Sequence, residues 1–179
     1  MIESQVSNWT LARCWGAEVP DEFRISSAAA PVRRQVAATP SVLPSITTVI
    51  EVRRITGPRT VYGLLGATYK PSGGTELVVE FPVCPAAGAI ASPLLSDEHP
   101  SVGLPDWLAG GIADTASDYA ARSPLGAGHL SFCFAAYSEM SSNVSIFEVL
   151  AKCVLDASSG IEITTPDQLA AVVRKHLGG

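Results

Sequence analysis

The chain has 179 residues, 47% of them apolar and 16% charged, and a formal net charge of −5. That length suits one domain with a sizeable core, or one domain and an appendage, and leaves little room for two full domains. No stretch approaches the roughly eighteen uninterrupted apolar residues of a membrane span, and an acidic balance repels phosphate backbones at long range, so any nucleic-acid contact has to come from a local patch.

The first residues, MIESQVSNWTLARCWG, show no apolar h-region behind a basic start, which predicts no secretory signal and a cytoplasmic location. Cys14, Cys84, Cys133 and Cys153 form no close C-x-x-C pair and are expected to be small buried hydrophobes in a reducing compartment. The charge is unevenly spread. Residues 1–44 and 158–179 are each neutral, whereas residues 45–157 hold six basic and eleven acidic side chains, so the whole excess sits in the middle.

Residues 1–44 read as an N-terminal arm. Trp9, Leu11, Trp15 and Phe23 make its first part apolar enough to dock on a neighbour but too short to build a core. Residues 28–45, with Pro31, Pro40 and Pro44, read as a linker, since proline lacks the N–H that ladders and helices need. Three strands follow, over 46–54, 61–69 and 75–81, each rich in β-branched and aromatic residues. The link Lys70-Pro71-Ser72-Gly73-Gly74 is of the kind that joins antiparallel neighbours and predicts a three-stranded meander. Residues 82–103 show no usable period and read as a long loop.

A helix is predicted over 104–122, its stripe formed by Trp107 or Leu108 with Ile112, Ala116 and Tyr119. Residues 129–134 alternate, predicting a strand with Leu130, Phe132 and Phe134 on one face. A second helix is expected from about Asn143, burying Ile146, Val149, Leu150, Cys153 and Val154, with Glu148, Lys152 and Asp156 opposite. Residues 158–179 form a C-terminal strand and helix extension, in which Thr165-Pro166-Asp167-Gln168 spells a capping box with proline at the first helical position. The helix then runs from Pro166 to about Leu177. The order β-β-β-α-β-α with a terminal helix predicts a two-layer α+β fold.

Enzymatic signatures are missing from the sequence. There is no GxxxxGK[ST] phosphate loop, no GxGxxG, no GxSxG and no HExxH, so no nucleotide, cofactor or metal is expected and the protein reads as a non-enzyme. His99, His129 and His176 lie in separate segments, none at metal-ligand spacing from a cysteine or another histidine. His129 and Cys133, four apart on a strand, would stand about 13 Å from each other, too far for a nucleophile and its base. Asp97, Glu98, Asp106, Asp114 and Asp118 read as a solvated loop and helix face, and the serines of 138–142 as caps of the following helix.

Three motifs, in order and at fitting spacing, resemble the fourth domain of translation elongation factor G. Gly57-Pro58-Arg59-Thr60-Val61-Tyr62-Gly63 follows a family pattern close to GGRGQYG at Gly57, Arg59, Tyr62 and Gly63. Ser123-Pro124-Leu125-Gly126-Ala127-Gly128 echoes a GPLAGYPV-like run. YSEMSSNVSIFEVLAK, beginning at Tyr137, aligns without a gap to YHDVDSSELAFKLAAS, coinciding at Tyr137, Ser142, Phe147 and Ala151. The resemblance covers residues 45–157 and implies a ribosomal-protein-S5-domain-2-like fold, with a left-handed βαβ crossover, standing without the GTPase. It also implies a tip of two loops that faces ribosomal RNA and tRNA, carried here by Arg53, Arg54 and Arg59 in the first loop and Ser138 and Glu139 in the second. The other expectation is a protein-interaction or self-assembly module. The high apolar and low charged fractions further predict exposed apolar surface covered by a symmetric homodimer.

Overall fold

The computed structural model describes residues 1–16, 18–26, 31–95 and 98–178. It is an α+β fold in which eight strands form one sheet and three helices lie on one face of it. The strands are β1 (Ile2–Ser7), β2 (Thr10–Trp15), β3 (Val32–Ala37), β4 (Ile46–Thr56), β5 (Arg59–Pro71), β6 (Glu76–Phe81), β7 (Ser101–Val102) and β8 (Gly128–Tyr137). The helices are α1 (Asp106–Ala120), α2 (Val144–Ser158) and α3 (Pro166–Leu177). None of them is long and apolar enough to cross a membrane.

The sheet runs β1-β2-β4-β5-β8-β6-β3, with the short β7 paired to β8 beside the main path. This order corrects the expected meander. β5 and β6 are not neighbours, because β8 enters between them, antiparallel to β5 and parallel to β6. Residues 72–75 therefore span two interstrand spacings, about 9.6 Å, which four residues reach easily. β6, α1 and β8 form a parallel crossover unit.

The N-terminal segments join the same sheet. β1 and β2 pair as a hairpin that adds to β4, from Thr10 opposite Arg54 to Trp15 opposite Val49. The linker reading fails over Val32–Ala37, which pairs with β6 as an edge strand. Its flanking prolines, Pro31 and Pro40, lie just outside that ladder and so remove no donor from it. The part of the expected linker at 28–30 lies outside the described residues. At the other terminus the expected strand is missing, since 161–164 makes no ladder before α3.

The helices lie side by side across the sheet, α1 over β3 and β6, α2 over β5 and β4, and α3 over β1 and β2. Ile50, Val52, Leu77, Val79, Phe81, Leu130 and Phe132 face them and are buried. Phe81 and Phe132 stack on adjacent strands with centroids 4.4 Å apart. On α1, Leu108 takes the inward position and Trp107 stays half exposed. Gly111 is required there, because a Cβ would meet Val144 Cγ1 of α2 at 2.9 Å. Asn143 caps α2 by accepting from Ile146 N–H at 3.0 Å. The capping box at Thr165 and Gln168 forms as the sequence predicts.

The second face of the sheet is covered by residues within 82–95 and 98–102 together with Trp15 and Phe23. Ile90, Leu95 and Val102 pack there on Val49, Tyr62, Leu64, Phe134 and Ala136. Phe134 belongs to this face, not to that of Leu130 and Phe132 as alternation predicts. β8 carries a bulge: Gly66 pairs with Phe134 and Thr68 with Ser131, so one residue of β5 opposes two of β8 and the alternation slips by one. Ile25 N–H donates to the Cys133 carbonyl at 3.0 Å within the bulge.

Candidate functional site

The pairing register gathers three chain reversals and the end of α3 at one end of the sheet. Gly57-Pro58 forms a two-residue turn between β4 and β5, with Gly57 at φ 61°, as a hairpin with glycine first requires. The β1–β2 turn lies beside it, because Ile55 N–H donates to the Trp9 carbonyl at 2.8 Å. The turn at 138–142 is stitched to β5 by Tyr62 N–H donating to the Ser141 carbonyl at 2.9 Å and by Ser142 Oγ donating to the Tyr62 carbonyl at 2.7 Å. The last turn of α3 closes the group, where Arg54 Nη1 donates to the Leu177 carbonyl at 3.3 Å.

Arg53, Arg54, Arg59, Ser138 and Glu139 are all placed at this end, in unlike settings. Arg59 and Glu139 are exposed, while Arg53 and Arg54 are half-buried at the close of β4. The Nε of Arg53 is buried and makes no hydrogen bond. Ser138 is buried and works inside its turn: its Oγ accepts from the N–H groups of Met140 and Ser141 at 3.1 Å each and donates to Glu98. Glu98 also accepts from Ser141 Oγ at 2.6 Å. That carboxylate, expected to be solvated, instead ties the long loop to the 138–142 turn.

The arginines of this end share one electrostatic property. Among the described residues, Arg13, Arg24, Arg33 and Arg34 each have a carboxylate within 4.0 Å. Arg53, Arg54, Arg59, Arg122 and Arg174 have none, and four of these five lie at the end just described. Arg174, which the sequence offered as no more than a residue of the terminal helix, donates from Nε to the Val6 carbonyl at 3.1 Å. Trp9 stands beside them, 62% exposed. Sequence reading missed both residues because nothing local signals that the first hairpin and the last helix meet at the end of β4.

Two polar clusters lie elsewhere. Glu51 is buried under the long loop, where its Oε1 accepts from Tyr62 Oη at 2.9 Å and Ser92 Oγ at 2.6 Å, with Arg13 Nη1 4.0 Å from Oε2. Burial pushes its carboxyl above the ordinary range, against the pull of the two hydroxyls and Arg13. Asp156, expected on the solvated side of α2, is buried between all three helices. It accepts from Tyr119 Oη at 2.7 Å and Lys175 Nζ at 2.8 Å, and its Oδ2 is 2.9 Å from His176 Nε2. Burial alone would raise its pKa, but these partners outweigh it and hold the carboxylate below the usual value. The reason for the misplacement is that α2 is flanked on both sides, so its outward face is narrower than an amphipathic pattern implies. Asp114 is engaged by Arg34 at 2.8 Å, and Asp97 lies outside the described residues. His129 approaches Glu80 at 3.6 Å, while Cys133 Sγ is 3.6 Å from Thr68 Oγ1.

No known protein family, no curated protein and no solved structure matches the chain.

Proposed function

We propose that this protein is a non-enzymatic module, similar to the fourth domain of elongation factor G, that contacts ribosomal or other structured RNA with the end of its sheet. The reading is carried by one observation: in a chain of net charge −5, four arginines with no carboxylate within 4.0 Å among the described residues converge where three turns meet. Arginines kept free of internal acids retain their donors for phosphate, whereas those on the rest of the surface are nearly all neutralised by neighbours. Arg53, Arg54 and Arg59 supply charge. Ser138 shapes the second turn from within, and Glu139 sits exposed on it, where it limits how closely a phosphate approaches. Cosedimentation with ribosomes across a salt series tests the reading; absence of binding at low salt overturns it.

A second reading, a self-assembling interaction module, rests on the opposite end. There Met1, Val42 and Ile161 are 69%, 99% and 43% exposed. Met1 and Ile161 line, with Pro44, Ile46 and Ile163, a groove of about 450 Å³. A homodimer through that end would cover it. Light scattering that gives the mass of one chain at micromolar concentration sinks this alternative.

A further inference from the structure

A groove of about 370 Å³ opens between the β1–β2 turn, the last residues of β4 and the final turn of α3. Its apolar floor includes Val6, Ile55 and Leu177, and its rim carries Trp9, Arg54 and Arg174. Two of its three walls lie outside residues 45–157, so the resemblance to the elongation-factor domain says nothing of it.

Each rim arginine is fixed by a backbone carbonyl and has further N–H donors to give. Arg54 is held by Leu177 and Arg174 by Val6, through one hydrogen bond each. A guanidinium has five N–H donors, and neither side chain has a carboxylate within 4.0 Å among the described residues. Anchoring removes much of the rotamer entropy that a free arginine loses on binding. Trp9 is 62% exposed, an unusual position for the largest apolar side chain unless it meets something flat. Ser7, Thr10 and Thr56 also line the groove.

A ligand that uses all of this has a ring to lie on the indole and a phosphate for the two forks. An acidic peptide would use the arginines and leave the indole in water. A base inside a duplex has no free face, so the ring must belong to an unstacked nucleotide. We propose that this groove binds one nucleotide unit of single-stranded RNA, its base stacked on Trp9 and its phosphate held by Arg54 and Arg174. For its ligand class the inference rests on the RNA-contacting reading above.

The test follows tryptophan fluorescence of the full chain during titration with a hexa-adenylate RNA, adenosine monophosphate and inorganic phosphate. The RNA should quench the emission, and Trp9→Leu should abolish that quench and weaken binding about tenfold, as loss of one base stack implies. Arg174→Met should weaken it similarly. Thr56→Glu, at an exposed lining position whose side chain makes no hydrogen bond among the described residues, should do so without disturbing the fold, while Arg122→Gln, away from the groove, leaves affinity unchanged. RNA binding that Arg59→Gln weakens but Trp9→Leu and Thr56→Glu leave within twofold overturns the groove and spares the RNA-contacting reading. Quenching by the mononucleotide without binding of the RNA keeps a nucleotide site and overturns RNA as its source. Inorganic phosphate matching the mononucleotide in affinity overturns the stacking role of Trp9.

Discussion

Replacing Arg59 by glutamine removes one of the four arginines that have no carboxylate within 4.0 Å among the described residues and leaves the fold alone, since its side chain is exposed and makes no hydrogen bond or ion pair among those residues. Each phosphate neutralised on a single strand contributes about −0.7 to the slope of log affinity against log salt, so three phosphates, one shared by Arg54 and Arg174, give a slope of about −2.1. Raising salt from 50 to 200 mM then weakens binding about eighteen-fold, whereas the Arg59→Gln slope of about −1.4 corresponds to about sevenfold. Arg122 supplies an internal control. It is also exposed and has no carboxylate within 4.0 Å among the described residues, but it follows the C-terminus of α1, away from the three turns and the end of α3. Fluorescence anisotropy of a labelled single-stranded RNA at five salt concentrations measures all three slopes. The reasoning is refuted if Arg59→Gln leaves the slope unchanged, or if Arg122→Gln lowers it by as much.

Three further outcomes concern the scaffold. Glu51→Gln should stabilise the protein relative to wild type at pH 8, with the difference vanishing below about pH 4: the buried carboxyl, its pKa raised, costs the folded state progressively more as pH rises above the ordinary glutamate value, and the amide does not titrate. Urea unfolding at the two pH values reads this directly. Asp156→Asn should cost about 2 kcal/mol at pH 7, the worth of hydrogen bonds to a charged group. Its penalty should shrink as pH falls through the lowered Asp156 pKa, where wild type loses the same contribution. Gly66→Ala should lower stability by about 1–3 kcal/mol in thermal unfolding, because the added Cβ meets the Val49 side chain and the Thr48 carbonyl oxygen, the latter at 2.8 Å.

The elements of the middle and the tail were legible because their signals are local. The capping box at Thr165 and Gln168 and the β-branched runs of β4 to β6 are written within a few residues of one another, whereas the cap of α2 falls to Asn143 and not to the serines of 138–142. Burial followed: Ile50, Val52, Val79, Phe81, Phe132 and Phe134 are all nearly inaccessible. Strand order was not legible, because residues 128–137 choose their two neighbours by long-range packing. The bulge in β8 was hidden for the same reason, since an unpaired residue is defined by the partner strand. At the candidate site, Arg59 lies in a motif, and Arg53 and Arg54 stand just before it in the same predicted loop. Arg174 and Trp9 could not be read as part of it, being 165 positions apart in sequence and joined only by the docking of α3 on β1.

The placement of β8 also constrains how the chain acquires its fold. Before residue 128 is available, the strands can form only two separate ladders, β1-β2-β4-β5 and β3-β6. Each of them exposes an unpaired edge, β5 in one and β6 in the other, built from Leu64, Leu65, Leu77 and Val79. The piece that joins them comes from the last third of the sequence and pairs with both edges. Until it does, these long apolar edges are open to strands of other molecules. Closure of the sheet therefore also protects both edges from other molecules, and its many non-local pairings are of the kind that slows folding.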